Sequence, residues 1–357
     1  MSDFPTVTIR GQHSDDWEQL YILLNEREII RDSIDDLPYT AEDVFRERLS
    51  AASSNTLTLI AETGQPSGRK RIVGAAWLRM LTGRRRHIGE LTLIAHPDYH
   101  ASAVENALLE AALNTADHWL GLRRVEVVLY PDDEAAFYEQ RGFEREAVMQ
   151  RYALRAGEYA PVCLLARLRA RTTPPAADPL PVKPKPMAKE SRLAITIRGA
   201  EVEDWEDIAA TRDSGNVVYN TLQLPYMSRE SVRERLENLP DDQRMLVAVA
   251  KDRVVGQLGL HLTTGRRAHV ARLGMMVHAE FQGHGVGSAL MEAAIDLAEN
   301  WLNISRIELE CYTDNAAGRA LYQKFGFEIE GILRDYAFRD GRFVDAYLMA
   351  RIQDGDR

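Results

Sequence analysis

Apolar residues recur along this chain with two different periods. In 277–301, VHAEFQGHGVGSALMEAAIDLAENW, residues Val286, Leu290, Ala294, Leu297 and Trp301 fall at helical spacing, which predicts a helix with one apolar face packed on a sheet. Just downstream the period changes to two: Glu308, Glu310 and Tyr312 share one side of a strand over 304–312, and Ile307, Leu309 and Cys311 share the other. The same reading over the rest of 195–351 gives a first strand at ITIRG, helices over 201–214 and 228–239 (the latter capped by Ser228), and a hairpin of 245–250 and 254–262. A strand over 269–277, a helix over 315–325 and a final hairpin over 327–351, turning at Asp340-Gly341, complete it. Several strands are neighbours in sequence, so the expected class is α/β (α+β): a mixed, largely antiparallel sheet with helices on both faces.

This pattern occurs twice. VTIRGQHSDDWEQL from Val7 returns as ITIRGAEVEDWEDI from Ile195, and LPYTAEDVFRERL from Leu37 as LPYMSRESVRERL from Leu224. TGRRRHIGELTLIAH from Thr82 returns as TGRRAHVARLGMMVH from Thr264, and FYEQRGFE around Tyr138 as LYQKFGFE around Tyr322. The offset runs from 188 (195 − 7) through 182 (278 − 96) to 184 (322 − 138), as small loop insertions require. A period this long marks a duplicated domain and not a solenoid. Between the copies, RTTPPAADPLPVKPKPMAKES is rich in proline and poor in large apolar side chains, an extended linker. The expected organisation is 1–170, a linker at 171–192, and 193–357.

Composition adds limits. A chain of 357 residues suits two domains, and a net charge of −10 argues against a nucleic-acid partner, which needs a basic face. Two cysteines in different copies, Cys163 and Cys311, point to a reducing compartment and not to a disulfide scaffold. No apolar run reaches membrane-spanning length and MSDFPTVTIR carries no signal-peptide core, so the expected location is cytoplasmic, without a membrane partner. No His/Cys/Asp/Glu spacing suggests a metal, and the matched His87 and His269 read as structural.

The candidate chemistry starts at the glycine loop. Gln282, Gly283, Gly285 and Gly287 crowd a helix start, where free N–H groups and the helix dipole attract anions. The spacing G-x-G-x-G is neither the dinucleotide fingerprint nor a Walker loop, and a lone glycine turn is weak evidence. The element order, Q-x-x-G-x-G at the third helix, and DNAAGRALYQKFGFE at 314–328 together resemble the GNAT superfamily of acetyl-CoA-dependent N-acetyltransferases. More narrowly, YNTLQLPY (219–226), RIELECYTDN (306–315) and RDGRFVDAYLMAR (339–351) look like bacterial L-amino-acid N-acetyltransferases, over nearly all of 193–352.

The resemblance implies two tandem GNAT-like domains and acetyl-CoA lying where the strands 269–277 and 304–312 splay apart. The N–H groups of Gly283, His284, Gly285, Val286, Gly287 and Ser288 would hold the diphosphate, with Gln282 in the same motif; His284 could equally be exposed filler. Main-chain groups of Met276 and Val277 would pair with the pantetheine arm, the Val277 N–H would polarise the acetyl carbonyl, and Asn315 would contact the arm. Tyr322 would protonate the departing thiolate, a phenol near 10 and a thiol near 8.5 being well matched. Glu310 is the preferred base, with a water chain to Glu308 or bulk solvent as the alternative. Cys311 has no partner for nucleophilic work and reads as a buried small hydrophobe. The arginines at 84–86 and 266–267 read as solvated turns, with a cofactor 3′-phosphate contact as the minor reading.

The amine pocket implied by the resemblance involves Tyr219, Leu222, Leu224, Tyr226, Phe338 and Phe343, suited to an apolar side chain, with Arg334 or Arg339 for a carboxylate. The expected acceptor is a free apolar L-amino acid. A protein N-terminus or a small amine xenobiotic is the enzyme alternative, and a non-catalytic acyl-CoA sensor is the alternative from another class. In the first copy Ala101, Ala103 and Glu105 stand for the three glycines, Val128 stands for Glu310, and PDDEAAFY is two residues shorter than TDNAAGRALY. Core residues Trp17, Trp119, Tyr138 and Phe143 persist. The first copy is therefore expected to be a degenerate, non-catalytic domain that stands in for the second subunit of a dimer, in a chain that is itself monomer or homodimer.

Overall fold

The computed structural model describes residues 7–34, 36–50, 55–64, 70–99, 103–131, 134–169 and 193–353, without the side chains of 48–50 and 134. The linker at 171–192 and residues 100–102 of the first copy's loop lie outside these. The chain divides into two compact units, Met1–Thr172 and Thr173–Arg357. No described helix is long and apolar enough to cross a membrane.

The first unit contains β1 (Val7–Gly11), α1 (Trp17–Leu24), α2 (Arg27–Asp32), α3 (Glu42–Ser50), β2 (Thr56–Gly64), β3 (Lys70–Met80) and β4 (Ile88–Ala95). It continues with α4 (Ala103–His118), β5 (Arg124–Leu129), α5 (Glu134–Glu139), β6 (Glu144–Arg155) and β7 (Glu158–Leu168). The second repeats the order with one helix fewer: β8 (Thr196–Gly199), α6 (Trp205–Asp213), α7 (Glu230–Glu237), β9 (Gln243–Ala250), β10 (Arg253–Leu262) and β11 (Val270–Val277). Then come α8 (Val286–Asp296), β12 (Arg306–Tyr312), α9 (Ala316–Lys324), β13 (Glu328–Arg339) and β14 (Arg342–Ile352). Strand order is β1-β2-β3-β4-β5-β7-β6 in one unit and β8-β9-β10-β11-β12-β14-β13 in the other. Every pair within a unit is antiparallel except β4–β5 and β11–β12, which are parallel.

Alternation along the strands builds two cores, one on each side of the second sheet. On β9, Ala248 and Ala250 face α8 with Val286, Leu290, Met291 and Ala294. Met245 and Val247 face the opposite way, toward Ile208 of α6 and Leu236 of α7. At the β9–β10 turn Lys251 and Asp252 both take positive φ, and Asp340 and Gly341 do so at the β13–β14 turn, as two-residue hairpins that follow strand twist require.

Some boundaries and faces differ from expectation. The second helix begins at Glu230, with Arg229 at its cap position; Ser228 lies one residue outside and accepts the Glu230 N–H at 3.1 Å. Trp301 is exposed despite its place in the helical period. The chain switches from α to a π turn at Leu297–Trp301, with Leu302 N–H bonded to the Leu297 carbonyl at 3.1 Å. Five residues in one turn break the 3.6 period, so the apolar stripe ends before Trp301. Leu120 N–H reaches Thr115 in the same i to i+5 fashion and Trp119 is 80 % exposed, so Trp119 is not a core residue.

Candidate active site

The two parallel strands of the second unit stay together for three residues only. Val270, Ala271 and Arg272 pair with Arg306, Ile307 and Glu308, and beyond them β11 and β12 separate. From Leu273 to Val277 one edge of β11 has no strand partner in the described unit. The His278 N–H bonds to the Val255 carbonyl on β10 at 2.9 Å. Successive N–H groups of a strand alternate between its edges, so the Val277 N–H is directed to the other side, into the gap. Met276 turns its main chain back toward β10, where its carbonyl is 3.2 Å from where a Gly256 Cβ would stand. Met276 therefore meets the site through its side chain. The Val277 carbonyl is held by Gln282 Nε2 at 3.1 Å, so Gln282 pins the loop to the strand end.

The three loop glycines do different work. Gly283 and Gly285 take φ of 80° and 89°, and Gly285 caps α8 in the left-handed conformation with open space where its Cβ would be. Gly287 is helical, and a Cβ there would come 3.0 Å from Leu321 of α9. Its absence lets α8 and α9 approach closely. The first turn of α8, Val286 to Ser288, thus opens outward with the unsatisfied N–H groups of a helix start. Lys324 adds a positive charge beside it, Nζ 3.2 Å from Ser288 Oγ. The sequence reading missed Lys324; its position four residues from the end of the 314–328 motif gives no hint that it returns to the loop. His284 Nδ1 lies 3.1 Å from the Gln282 carbonyl, a contact within the loop. The Asn315 side chain accepts the Gly318 N–H at 3.0 Å and caps α9, so its oxygen is engaged locally.

A cavity of about 310 Å³ crosses the sheet at this gap. Its lining includes Leu273 and Met275, which face the α8 core, and Gly274 and Met276, which face the other way. Tyr322 packs on the α8 side yet lines the same cavity with Glu310 and Tyr312. Its hydroxyl has no hydrogen-bond partner among the described residues. Burial, with a smaller contribution from Cys311, pushes the phenol above its ordinary value, so Tyr322 stays protonated through neutral pH. Glu310 is held at its outer side by Arg272 at 3.3 Å.

Glu308 does not reach the cavity. It is buried against Arg267 at 2.6 Å, Arg306 at 3.2 Å and Arg272 at 3.3 Å. Burial alone would raise this carboxyl, but the three guanidinium groups outweigh it and hold it below the usual carboxylate range. Arg267 is therefore no solvated turn arginine. The first unit repeats the cluster, with Arg124 bonded to Glu126 at 2.8 Å and to Glu146 at 2.7 Å and Arg85 at 3.6 Å from Glu126, which marks it as scaffold. Cys311 lies in the apolar core and burial pushes its thiol up to about 12, too high for a nucleophile.

Of the expected acceptor residues, Leu222 lines the cavity. Tyr219 lies beneath Arg339, its ring centroid 3.8 Å from the guanidinium carbon, and Arg339 is buried on Asp314. Arg339 is thus committed within the protein. Leu224, Tyr226 and Phe338 are exposed and outside the cavity, with Phe338 edge-on to Phe343 at 5.1 Å. The wall instead uses Gln257, Gly259 and His261 of β10, Arg235 of α7 and Tyr336 of β13. Gly259 and Gly274 face each other across β10 and β11, so the floor there has no side chains.

The sequence profile of the Acetyltransferase (GNAT) family matches residues 17–143 and 208–327, more than half of the chain. An L-amino acid N-acetyltransferase of Escherichia coli (strain K12) is 42% identical over 160 residues, covering 44% of this chain and 98% of that protein. A solved GNAT-family acetyltransferase from Streptococcus pneumoniae is 28% identical with a TM-score of 0.40, covering 44% of this chain and 99% of its own. A spermidine N-acetyltransferase from Vibrio cholerae, solved with CoA and spermine, is 25% identical with a TM-score of 0.41, covering 44% of this chain and 95% of its own. With two profile matches in tandem and a relative aligned over almost its full length, the chain belongs to the GNAT family of acetyltransferases.

Proposed function

We propose that the second unit transfers the acetyl group of acetyl-CoA to the α-amine of a free apolar L-amino acid, and that the first unit is non-catalytic. The observation that carries this is the cavity at the β11–β12 gap, where Tyr322 and Glu310 meet on one void. The α8 N–H groups and Lys324 would hold the diphosphate, and the Val277 N–H would bond the thioester carbonyl. When bound, acetyl-CoA supplies the activated acyl carbon. Glu310 accepts a proton from the incoming ammonium, and Tyr322 donates one to the departing thiolate. The burial that raises the phenol also disfavours a bare thiolate, so their proton affinities rise together. The identity with an L-amino acid N-acetyltransferase supports the choice of acceptor, as do the apolar walls of Leu222, Leu273, Met275 and Tyr336.

A thiol-release assay with a panel of free amino acids, N-terminal peptides and polyamines tests the reading. Turnover with methionine or phenylalanine is expected. Turnover only with peptides or polyamines would overturn the acceptor, and tight acetyl-CoA binding with no turnover on any amine would overturn the activity.

A further inference from the structure

A second cavity of about 260 Å³ adjoins the first, and the two share Gln223, Arg235, Met245, Gln257 and Met276. Three of these, Gln223, Arg235 and Gln257, carry side-chain polar groups with no partner among the described residues, and Gln257 is the buried one. Gln257 is 8 % exposed, and neither end of its amide has a hydrogen-bond partner among the described residues; Oε1 is fully enclosed. Such a buried amide is costly unless a ligand completes it. Arg235 forms no ion pair or hydrogen bond among the described residues. Arg233 on the same helix pairs with Glu237 at 2.8 Å, and Arg272 with Glu308 and Glu310 at 3.3 Å each.

His261, on the same strand as Gln257, is kept on the neutral side by burial and by the charges of Arg235 and Arg272. The wall therefore presents the Arg235 guanidinium and the buried Gln257 amide, both without a partner among the described residues, next to the void lined by Glu310 and Tyr322. A guanidinium fork and an amide N–H₂ are donors that suit a carboxylate. The first unit supplies an internal contrast. Gln257 pairs in register with Met276 and Val247. The corresponding position on β3 is Ala75, paired with Ile94 and Ile60 inside an apolar cluster.

We propose that Arg235 and Gln257 bind the α-carboxylate of the acceptor and so select free amino acids over amines that lack one. This rests on the amino-acid reading above. The test is steady-state kinetics on the full chain with L-methionine and with L-methioninamide, which differ only at the carboxyl group. For Arg235→Gln and for Gln257→Glu, the ratio of kcat/KM for the acid to that for the amide should fall at least tenfold, with the loss in KM of the acid. Arg235→Lys should restore part of the ratio. Acetyl-CoA affinity by calorimetry and the melting temperature identify a variant that has simply failed to fold, and Arg235→Lys with Gln257→Leu then replaces it. If native protein acetylates methionine and the ratio stays within twofold in every folded variant, this inference is wrong and the function stands. If native protein acetylates neither compound, the function itself is wrong and the inference falls with it.

Discussion

The two units share a strand order, a parallel pair that separates after three residues, a buried Arg–Glu cluster and a tyrosine at 138 and 322, yet differ at the start of α8, at Glu310 and on the β10–β11 floor. Where Gly285 caps α8 in the left-handed conformation, the aligned Ala103 is already helical and α4 starts there. Where Gly287 gives room to α9, Glu105 is buried in the first turn of α4. Where Gly259 and Gly274 leave the floor bare, β3 and β4 pair Trp77 with Thr92, and Trp77 packs on the cluster of Leu20, Phe45 and Ala75. The lesson is that this fold is maintained by side chains that do no chemistry. A copy can carry Ala75 and Trp77 where the other carries Gln257 and Gly259 and keep its sheet.

That contrast is open to attack at several points. The largest effect is expected from carrying Glu105 across: Gly287→Glu forces a Cβ to within 3.0 Å of Leu321 of α9 and brings a negative charge to the helix start proposed to hold the diphosphate, where like charges ~4 Å apart cost several kcal/mol. Acetyl-CoA affinity should then fall by more than ~10²-fold. Calorimetry on the unaltered chain should show one acetyl-CoA per chain, and two sites of similar affinity would end the distinction between the units. Next, Tyr322→Phe should lower kcat by ~10²-fold or more, in the range of a lost proton donor, with little change in acetyl-CoA affinity. Tyr138→Phe, at the matching buried position, should leave kcat within a factor of two. Equal losses in both variants would show that the phenol serves packing.

The Arg–Glu clusters should respond alike in both units. Glu308→Ala strands buried guanidinium groups and should destabilise by about 3–5 kcal/mol, read from denaturant unfolding, as should Glu126→Ala. The sign of the pH dependence follows from the lowered Glu308 pKa. Its stabilisation is complete above the ordinary carboxylate value of about 4.5 and is lost as pH falls through the lower folded-state value. A melting temperature that rose on acidification would contradict this. The smallest effect is expected from Gly259→Trp, which brings the first unit's solution into the second. It should raise KM for the amino acid about tenfold while acetyl-CoA binding holds, because one filled pocket wall costs on the order of 1–3 kcal/mol of acceptor binding.

Much of the fold was legible because it rests on local rules. Period-two alternation placed Ile307, Leu309 and Cys311 in the α8 core and Glu310 opposite, and the duplication showed which positions belong to the scaffold. The failures have two physical causes: contacts between residues distant in sequence, and a local backbone hydrogen-bond choice. Nothing near Arg267 signals that its guanidinium crosses to Glu308, forty-one residues on. The π turn that carries Trp301 out to solvent is a backbone hydrogen-bond choice that the apolar period does not record. The proposed acceptor wall escaped because Arg235, Gln257 and Gly274 come from three elements and form no motif.

The bare floor has a consequence for how this enzyme could change. A Cβ at 274 would meet nothing within 4 Å, and one at 259 only the His261 ring at 3.6 Å. Neither position belongs to the loop at the start of α8. On the proposed assignment of the two sites, a single methyl at either place would trim the length of guest molecule admitted while leaving the grip on the coenzyme alone. Diet and donor are thus separately adjustable, one methyl at a time.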